Sequence, residues 1–350
     1  MKKIVLTGGG SAGHCTPHLA LLPFLKDKFD EIYYIGSKTG IEKEIIENEK
    51  IPYYGISCAK FIRSFSLKNL SIPFKVASGI TEAGKLLDKL KPDVVFSKGG
   101  YVALPVVIAA HKRKIPVIAH ESDYTVGLAN RISSKYCEKI LTTFPDTAKG
   151  LKNGEFVGAP IRNTLIKFNK SDAYKRFNLT GDKPIITVIG GSLGATAINQ
   201  VVRTALPKLL QKFDVVHICG NGNVDSSIHK KGYFQAEYLH DIQNALGVAS
   251  VCVTRAGSNA LFELLSLKKP CVVIPLPKGN SRGDQVLNAS YFQKEGFIYV
   301  LPQDELSASS LCFYIDSAYS NRTNIKRILE DKPFTDKSQE IVKILSKFAK

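Results

Sequence analysis

The chain has 350 residues, which predicts about two domains of ordinary size, and its 44% hydrophobic and 23% charged residues are typical of a folded soluble protein. Its seven cysteines are scattered, without a CxxC pair or a His/Cys spacing typical of a metal site, so disulfide, redox and zinc functions are not expected. The formal charge of +17 favours an anionic partner. Nucleic acid, an acidic lipid surface and a phosphorylated substrate are the three alternatives.

Three features that the sequence lacks limit the kind of partner and the cellular location that we expect. The sequence contains no helix-turn-helix, RNP motif or zinc finger, which argues against nucleic acid. No apolar run approaches the roughly 18 to 20 residues that span a bilayer. The first strand begins by Ile4, which leaves no room for a signal peptide. We therefore expect a cytoplasmic protein.

Strands and helices alternate through the first half of the chain. Apolar runs and turn residues predict, in order, strand 3–7, a helix from about residue 17, strand 31–35, helix 40–49, strand 53–56, helix 82–90, strand 93–96, a helix around 104–111 and strand 117–120. The strands are continuous apolar runs, as in parallel sheets that helices cover on both faces. The pattern predicts an open parallel α/β sheet.

A glycine-rich turn follows the first strand. Glycines within residues 8–13 would let backbone N–H groups approach a phosphate at the start of the next helix, where Thr16 is expected to cap and Pro17 to begin the helix. His14 lies at the mouth of this turn, either beside an anionic or sugar ligand or in a purely local hydrogen bond. GxGxxG is formally present, but no acidic residue for a ribose ends the second strand, so this is not the dinucleotide fingerprint.

Another glycine turn, Lys98-Gly99-Gly100-Tyr101, follows the strand at 93–96. It combines accessible backbone with a lysine, which suits a second phosphate-bearing ligand. A structural turn with a surface lysine is the alternative.

The second half repeats the alternation after a polar stretch at 167–183, with strands expected at 185–189, 215–219, 251–253 and 271–274. A glycine turn at 190–195 again joins a strand to a helix, so the chain is expected to contain two nucleotide-fold halves with a ligand bridging them. At the end, Ile341, Ile344, Leu345 and Phe348 form a one-sided apolar stripe on a final helix, which is expected to pack back across the first domain.

Polar groups of the second half suit a nucleotide sugar. Ser258 is expected to cap the helix after strand 251–253, and Glu263 within that helix would accept hydrogen bonds from a ribose diol or remain a solvated helix residue. The amide and carboxylate groups of residues 283–289 suit sugar hydroxyls. No DxD sequence occurs, so a leaving diphosphate would need backbone dipoles at 190–195 and the cation of Arg162.

Taken together, the motifs resemble the MurG family, the glycosyltransferases that complete the lipid-linked disaccharide precursor of peptidoglycan. The segments that carry the resemblance are 8–17, 98–102, 120–123 with 127–130, 158–162, 190–195, 255–263 and 284–289. The resemblance implies the GT-B fold, an α/β architecture of two Rossmann-like domains whose parallel sheets face each other across a cleft. It implies an N-terminal acceptor and membrane-associating domain at 1–160, a UDP-GlcNAc-binding domain at 161–334, and a C-terminal helix at 335–350 on the first domain.

The implied reaction is the inverting transfer of GlcNAc from UDP-GlcNAc to the 4-hydroxyl of MurNAc in undecaprenyl-diphospho-MurNAc-pentapeptide, lipid I to lipid II, without a required metal or other cofactor. The alternatives are another GT-B enzyme that uses a UDP-sugar, either a diacylglycerol glycosyltransferase or a UDP-GlcNAc 2-epimerase, and a non-catalytic UDP-sugar-binding protein. The implied location is peripheral, on the cytoplasmic face of the cell membrane, with a cell-wall synthesis complex as a further partner.

Roles in this reaction follow from the resemblance residue by residue. His14 matches the candidate general base. Lys98, Gly99, Gly100 and Tyr101 match the positions that receive the acceptor diphosphate. The positions that match contacts to the donor are Ser11, Ala12, Gly13, Asp123, Arg162, Ser192, Leu239, Ser258, Asn259, Glu263 and Gln285. Among these, Ser192 would hold the diphosphate, Leu239 would present backbone to uracil, Glu263 would bind ribose, and Gln285 would bind GlcNAc hydroxyls.

The chain departs from the family pattern in two loops. Glu121-Ser122-Asp123 stands where many members carry Glu-Gln-Asn, so an amide contact to the donor becomes a carboxylate at Asp123. Gly10-Ser11-Ala12-Gly13 stands where Gly-Thr-Gly-Gly is commoner, which keeps a hydroxyl and small residues.

Residues 60–75 interleave apolar and basic side chains without transmembrane length, as a peripheral contact with anionic lipid requires. We expect Lys60, Arg63, Lys68 and Lys75 to contribute to that contact. A half-buried helix and loop with ordinary surface lysines is the alternative.

Overall fold

A computed structural model describes residues 1–59, 71–191, 194–279 and 282–349, apart from the side chain of Ala12. The chain forms two compact units. The first comprises Met1–Arg162 and the chain from Asp336 onward, and the second comprises Asn163–Thr335. Among the residues that the structure describes, every helix is too short or too polar to cross a membrane.

The described part of the first unit contains one parallel sheet. Its strands are β1 (Lys3–Thr7), β2 (Glu31–Ser37), β3 (Tyr53–Ile56), β4 (Val94–Ser97), β5 (Val117–Glu121), β6 (Lys139–Thr142) and β7 (Gly154–Phe156), paired in the order β3-β2-β1-β4-β5-β6-β7. The expected parallel sheet is confirmed, and β6 and β7 extend it beyond the strands predicted from the sequence.

Helices connect these strands on both faces of the sheet. They are α1 (Thr16–Lys26), α2 (Ile41–Asn48), α3 (Ile72–Leu90), α4 (Ala103–Lys112), α5 (Leu128–Ser133) and α6 (Pro145–Lys149). A short 3-10 helix, Ala12–His14, precedes α1, which begins at Thr16 with Cys15 at the N-cap. The expectation that Thr16 is the N-cap is therefore wrong by one residue, because the helix begins one residue earlier, at Thr16 itself.

The second unit is built in the same way. Its strands are β8 (Ile185–Ile189), β9 (Asp214–Ile218), β10 (Tyr233–Ala236), β11 (Val251–Thr254), β12 (Cys271–Val273) and β13 (Tyr299–Val300). Within the described residues they form a parallel sheet in the order β10-β9-β8-β11-β12-β13. Its helices are α7 (Lys170–Arg176), α8 (Thr196–Lys212), α9 (Ile242–Val248), α10 (Ser258–Ser266), α11 (Asp284–Lys294), α12 (Ala308–Ser320) and α13 (Arg322–Asp331).

The last helix, α14 (Ser338–Phe348), belongs to the first unit. Its apolar stripe, which includes Ile341 and Leu345, lies in the same core as Leu21 and Leu25 of α1 and as β1. The chain enters α14 beside the end of the first segment, since the Lys337 N–H donates to the Ala159 carbonyl over 3.0 Å.

Candidate active site

In both sheets the strand order reverses beside the first strand of the unit. β1 lies between β2 and β4, and β8 lies between β9 and β11. Ligands of open α/β sheets bind outside the carboxyl ends of the strands at this switch point. The glycine turns that follow β1 and β4 flank the first switch point, and the turns that follow β8 and β11 flank the second. Chain topology thus brings the predicted motifs to the edge where this architecture binds ligands.

A buried carboxylate holds the glycine turn after β1. Glu42 of α2 is fully buried, and its Oε2 accepts the Gly10 N–H over 3.2 Å. Its Oε1 accepts the Ser37 N–H over 3.1 Å and also the Ser37 hydroxyl. Glu42 therefore ties the turn to the carboxyl end of β2. Sequence reasoning missed it, and the available signal was an acidic residue in the first turn of a helix that follows a strand end.

The two glycine turns of the first unit pack against each other. Gly10 has φ of +84° and lies under the Tyr101 ring, so a Cβ atom there would overlap the ring. Both the backbone angle and this close approach require glycine. The predicted Ser11, Gly13 and Tyr101 are thereby brought to one edge of the sheet.

His14 ends the short 3-10 helix that follows this turn. Its Nδ1 lies 2.7 Å from the Ser11 hydroxyl oxygen, and its side chain is half-buried. A hydrogen bond at Nδ1 fixes the ring orientation and, through the tautomer, the state of Nε2. Two sequence-predicted residues are therefore joined directly.

Lys98 lies beneath the turns and not on the surface. Its side chain is 2% exposed, and Nζ lies 2.6 Å from His120 Nδ1 and 2.7 Å from Ser122 Oγ. Burial lowers the pKa of Lys98 to about 7, against the opposing effect of the Glu121 and Asp123 carboxylates. The alternative of a surface lysine on a structural turn is wrong, because the Lys98 side chain points into the protein.

His120 lies between Lys98 and the backbone. Its Nε2 is 3.1 Å from the Gly158 carbonyl oxygen, so Nε2 carries the hydrogen and Nδ1 accepts from the lysine. Burial and the neighbouring lysine hold the pKa of His120 well below its usual range. The imidazole is therefore a neutral acceptor for the Lys98 ammonium.

Glu121 organises the loop that carries Asp123. Oε1 accepts the Asp123 N–H over 3.1 Å, and Oε2 accepts the Gly127 N–H over 2.8 Å and Asn130 Nδ2 over 2.9 Å. The side chain is 6% exposed, and these donors occupy both carboxylate oxygens. The Glu121 carboxylate thus holds the loop backbone at both residue 123 and residue 127. Asp123 is half-buried in this loop.

In the second unit, Ser192 lies outside the described residues, while Gly191 and Gly194 of the same turn are described. Gly194 has φ of +75°, donates its N–H to the Gly191 carbonyl over 3.0 Å, and lies so close to the Cys219 carbonyl that a Cβ atom would overlap it. The turn therefore rests on the carboxyl end of β9.

A buried hydrogen-bond chain fixes that contact. Tyr233 OH lies 3.0 Å from His217 Nδ1, His217 Nε2 lies 2.9 Å from Asn199 Oδ1, and Asn199 Nδ2 donates to the Cys219 carbonyl over 2.8 Å. Burial lowers the pKa of His217 to about 3, so the ring is neutral. Asn199, in the first turn of α8, links the helix start to the β9 end. No periodic pattern in the amino-acid sequence indicates this network.

Polar side chains link the ends of β11 and β12. Arg255 Nη1 donates to the Ile274 carbonyl over 3.1 Å, and the Leu276 N–H donates to Gln285 Oε1 over 3.0 Å. Asn288 Nδ2 donates to the Ala256 carbonyl over 3.1 Å. These bonds connect the segments that leave β11 and β12 with each other and with α11.

The remaining donor-site predictions occupy different places in the second unit. Ser258 begins α10 with Gly257 at the N-cap, so the expectation that it caps the helix is wrong by one residue; Asn259 and Glu263 are half-buried on the same helix. Leu239 is 4% exposed and packs in the core beneath the β10 end. Arg162, half-buried, is the last residue of the first unit's main segment.

Metal binding was not expected from the sequence. Within residues 1–59, 71–191, 194–279 and 282–349, no three His, Cys, Asp or Glu side chains are grouped in a way that could hold an ion. The cysteines are all free thiols, and most are buried in the two cores.

The chain matches known proteins over its whole length. Residues 4–142 match the glycosyltransferase family 28 N-terminal domain, and residues 185–344 match the glycosyltransferase family 28 C-terminal domain. It is 46% identical to a UDP-N-acetylglucosamine--N-acetylmuramyl-(pentapeptide) pyrophosphoryl-undecaprenol N-acetylglucosamine transferase of Clostridium botulinum, covering 100% of both chains. It is 48% identical to the protein of the same name from Lachnospira eligens, covering 99% of each.

A solved structure shares the fold. The crystal structure of MurG from Acinetobacter baumannii superposes with a TM-score of 0.76, at 23% identity, over 99% of this chain and 100% of that one. The two Rossmann-like units with parallel sheets are accordingly those of a GT-B glycosyltransferase. The chain belongs to the MurG family within glycosyltransferase family 28.

Proposed function

We propose that this protein transfers GlcNAc from UDP-GlcNAc to the MurNAc 4-hydroxyl of undecaprenyl-diphospho-MurNAc-pentapeptide, with inversion, and so converts lipid I to lipid II in peptidoglycan synthesis. The observation that carries this function is the identity, over the whole chain, to N-acetylglucosamine transferases named for these substrates. The glycine turns at the two switch points support it, because each offers backbone N–H groups at a helix start, where diphosphates bind.

The donor would bind to the second unit. Ser192, with the N–H groups of the glycine turn at the start of α8, would hold the UDP diphosphate, and Arg162 would add a cation. Glu263 would accept the ribose hydroxyls, and the backbone at Leu239 would face uracil, since its buried side chain holds the loop in place.

The donor sugar would meet further groups. Gln285 would bind GlcNAc hydroxyls through its amide nitrogen, because its Oε1 already accepts the Leu276 N–H. Ser258 and Asn259 at the start of α10 would contact the nucleotide sugar from the β11 side. In the first unit, Ser11, Ala12, Gly13 and Asp123 would complete the contacts.

His14 would act as the general base. When Nδ1–H donates to the Ser11 hydroxyl at 2.7 Å, Nε2 carries the lone pair that takes the proton from the attacking 4-hydroxyl. General-base removal typically costs roughly 100-fold to 10,000-fold in rate. We expect His14→Ala to lose turnover on that scale while UDP-GlcNAc affinity changes little, and undiminished turnover would exclude His14 as the base.

The acceptor diphosphate would meet the turn after β4. Its contacts would come from the backbone of Gly99 and Gly100 and from Tyr101, because the Lys98 ammonium is directed to His120 and Ser122. Lys98 would then act on the diphosphate through its charge and not by contact.

The acceptor is a membrane lipid, and we propose that the first unit binds an anionic membrane surface. Lys60, Arg63 and Lys68 lie outside the described residues, whereas Lys75 lies in the first turn of α3 next to Phe74, whose side chain is 78% exposed. An exposed aromatic ring beside a cation suits the interface of an anionic bilayer. This peripheral, cytoplasmic-side location would also place the protein within reach of a cell-wall synthesis complex.

Charge reversal tests the membrane contact. Replacing Lys60, Arg63, Lys68 and Lys75 by Glu should reduce sedimentation with phosphatidylglycerol vesicles. The matched control reverses four exposed lysines of the second unit, Lys208, Lys230, Lys231 and Lys294. Equal loss in both variants, or none in either, would contradict a dedicated lipid surface.

Turnover tests the function itself. UDP-GlcNAc with a short-chain lipid I analogue should yield the disaccharide product, whereas diacylglycerol should yield none and UDP-GlcNAc alone should not epimerise. Glycosylated diacylglycerol or UDP-ManNAc would identify the alternative GT-B enzymes. Tight UDP-GlcNAc binding without any product would identify a non-catalytic binding protein.

A further inference from the structure

A buried hydrogen-bond chain joins β10, β9 and α8 in the second unit. Asn199 Nδ2 donates to the Cys219 carbonyl over 2.8 Å, so Asn199 Oδ1 is the atom that faces His217 Nε2 at 2.9 Å. Because an amide oxygen only accepts, the hydrogen of His217 lies on Nε2. His217 Nδ1 then accepts from the Tyr233 hydroxyl over 3.0 Å. The contacts of Asn199 thus fix the tautomer of His217 and the direction of the whole chain.

The Cys219 carbonyl, at which this chain ends, supports the glycine turn after β8. A Cβ atom at Gly194 would lie 2.1 Å from the Cys219 carbonyl oxygen and 3.1 Å from the Gly220 Cα atom. Gly194 therefore packs directly on the backbone that leaves β9, and its N–H closes the turn by donating to the Gly191 carbonyl over 3.0 Å. A displacement of the Cys219 carbonyl would displace the turn as well.

Asn199 also marks the point at which the hydrogen bonds of α8 begin. Its N–H donates to the Ala195 carbonyl over 2.9 Å, so the N–H groups at 196–198 have no partner within the helix. The helix is 17 residues long, and the start of such a helix favours a phosphate. The Asn199 side chain therefore links the carbonyl that supports the turn to the first turn of the helix behind it.

His217 keeps the Asn199 side chain in this position. Asn199 is 1% exposed and His217 is fully buried, so water does not replace the imidazole, and a buried acceptor left without its donor is costly. Burial lowers the pKa of His217 to about 3, so the ring stays neutral at physiological pH. Its ring nitrogens bond to Tyr233 and Asn199, and its effect on the turn therefore passes through Asn199.

We propose that His217 is a positioning residue for the diphosphate of the nucleotide sugar: through Asn199 it holds the Cys219 carbonyl and the start of α8 where the glycine turn binds phosphate. The identity of the ligand rests on the proposed function. The link from His217 to Gly194 rests only on hydrogen bonds and close contacts within the second unit. Because the chain ends at the turn and the helix start, its loss should affect the phosphate part of the ligand.

A comparison of UDP with uridine tests this role. His217→Leu leaves Asn199 Oδ1 without a donor, so the affinity for UDP measured by calorimetry should fall about tenfold, roughly the contribution of one hydrogen bond. The affinity for uridine, measured by NMR titration, should not change. His217→Gln places an amide N–H near the position of Nε2 and should restore most of the UDP affinity. Equal losses for UDP and uridine, or no loss for UDP, would overturn the role.

A matched control separates positioning from core packing. Val215 lies two residues before His217 on the same face of β9, is fully buried and packs in the same core as Ile198 of α8. Val215→Ala should lower the thermal unfolding midpoint but should not weaken UDP more than uridine. A loss of UDP affinity in Val215→Ala that is as selective as the loss in His217→Leu would mean that packing alone is responsible, and the role would be wrong.

Hydrogen exchange in the free protein gives a second measurement that needs no ligand. The N–H groups of Gly194 and Asn199 are bonded to the carbonyls of Gly191 and Ala195, and His217→Leu should speed their exchange relative to the other amides of α8. Unchanged exchange at both amides would contradict the link. If the parent binds neither UDP nor uridine, the proposed function fails, whereas exchange at these two amides still decides whether His217 holds the turn.

Discussion

Replacing Glu42 by Gln should destabilise the glycine turn that carries His14. Glu42 is fully buried and uses both oxygens, Oε2 for the Gly10 N–H at 3.2 Å and Oε1 for the Ser37 N–H at 3.1 Å and the Ser37 hydroxyl. Glutamine keeps the shape but only one oxygen, so its amide N–H₂ must face an N–H donor. A buried donor left unsatisfied costs about 1–3 kcal/mol, and hydrogen bonds to a charged group contribute about 1.5–3 kcal/mol.

We therefore expect Glu42→Gln to lower the free energy of unfolding of the first unit by about 3 kcal/mol. For a domain of roughly 150–250 residues each kcal/mol shifts the midpoint by about 2–4 °C, which gives a fall of about 6–12 °C. Calorimetry measures this midpoint, and hydrogen exchange should show faster exchange at the Gly10 and Ser37 amides. The matched control is Glu44→Gln, an exposed carboxylate on the same helix.

Two results would refute this reasoning. A midpoint for Glu42→Gln within 2 °C (roughly 1 kcal/mol) of that for Glu44→Gln would mean that the turn does not depend on the carboxylate. Unchanged exchange at Gly10, with a lower midpoint, would mean that Glu42 stabilises the α2 start and not the turn.

Three further outcomes follow from the structure. Gly194→Ala should reduce the affinity for UDP-GlcNAc and the unfolding midpoint far more than Gly222→Ala, because both residues have positive φ but only Gly194 lies against a backbone carbonyl. Equal effects of the two substitutions in calorimetry would mean that the contact with the end of β9 does not matter. Burial lowers the folded-state pKa of His18 to about 3, so the unfolded chain takes the proton first, and stability present above about pH 6.5 is lost as the pH falls toward 3. His18→Phe should reduce the slope of unfolding free energy against pH between 4 and 6 by up to about 1.4 kcal/mol per unit, and identical slopes would count against this. Burial raises the pKa of Cys252 to about 12 and that of Cys271 well above its usual value. Both thiols should therefore resist iodoacetamide in the native protein but react in urea, which peptide mapping would measure. Labelling of either cysteine in the native protein would contradict its burial.

The sequence determined the architecture, because its signals are local. Buried parallel strands are continuous apolar runs, and glycine turns between a strand and a helix are visible without any long-range contact. For that reason the strands at 3–7, 53–56 and 185–189 were correctly predicted. The short strands β7 and β13 were not, since three or two residues carry no periodicity of their own.

Tertiary structure alone decided which side chains support the motifs. Glu42 looks like any surface glutamate of a helix until α2 packs on the end of β2 and brings its carboxylate to Gly10. Lys98 looks like a surface cation until β4 and β5 pair in register and bring His120 to its ammonium. Burial and the pKa shifts that it causes arise from contacts between residues distant in sequence, and those contacts exist only after the sheet has assembled.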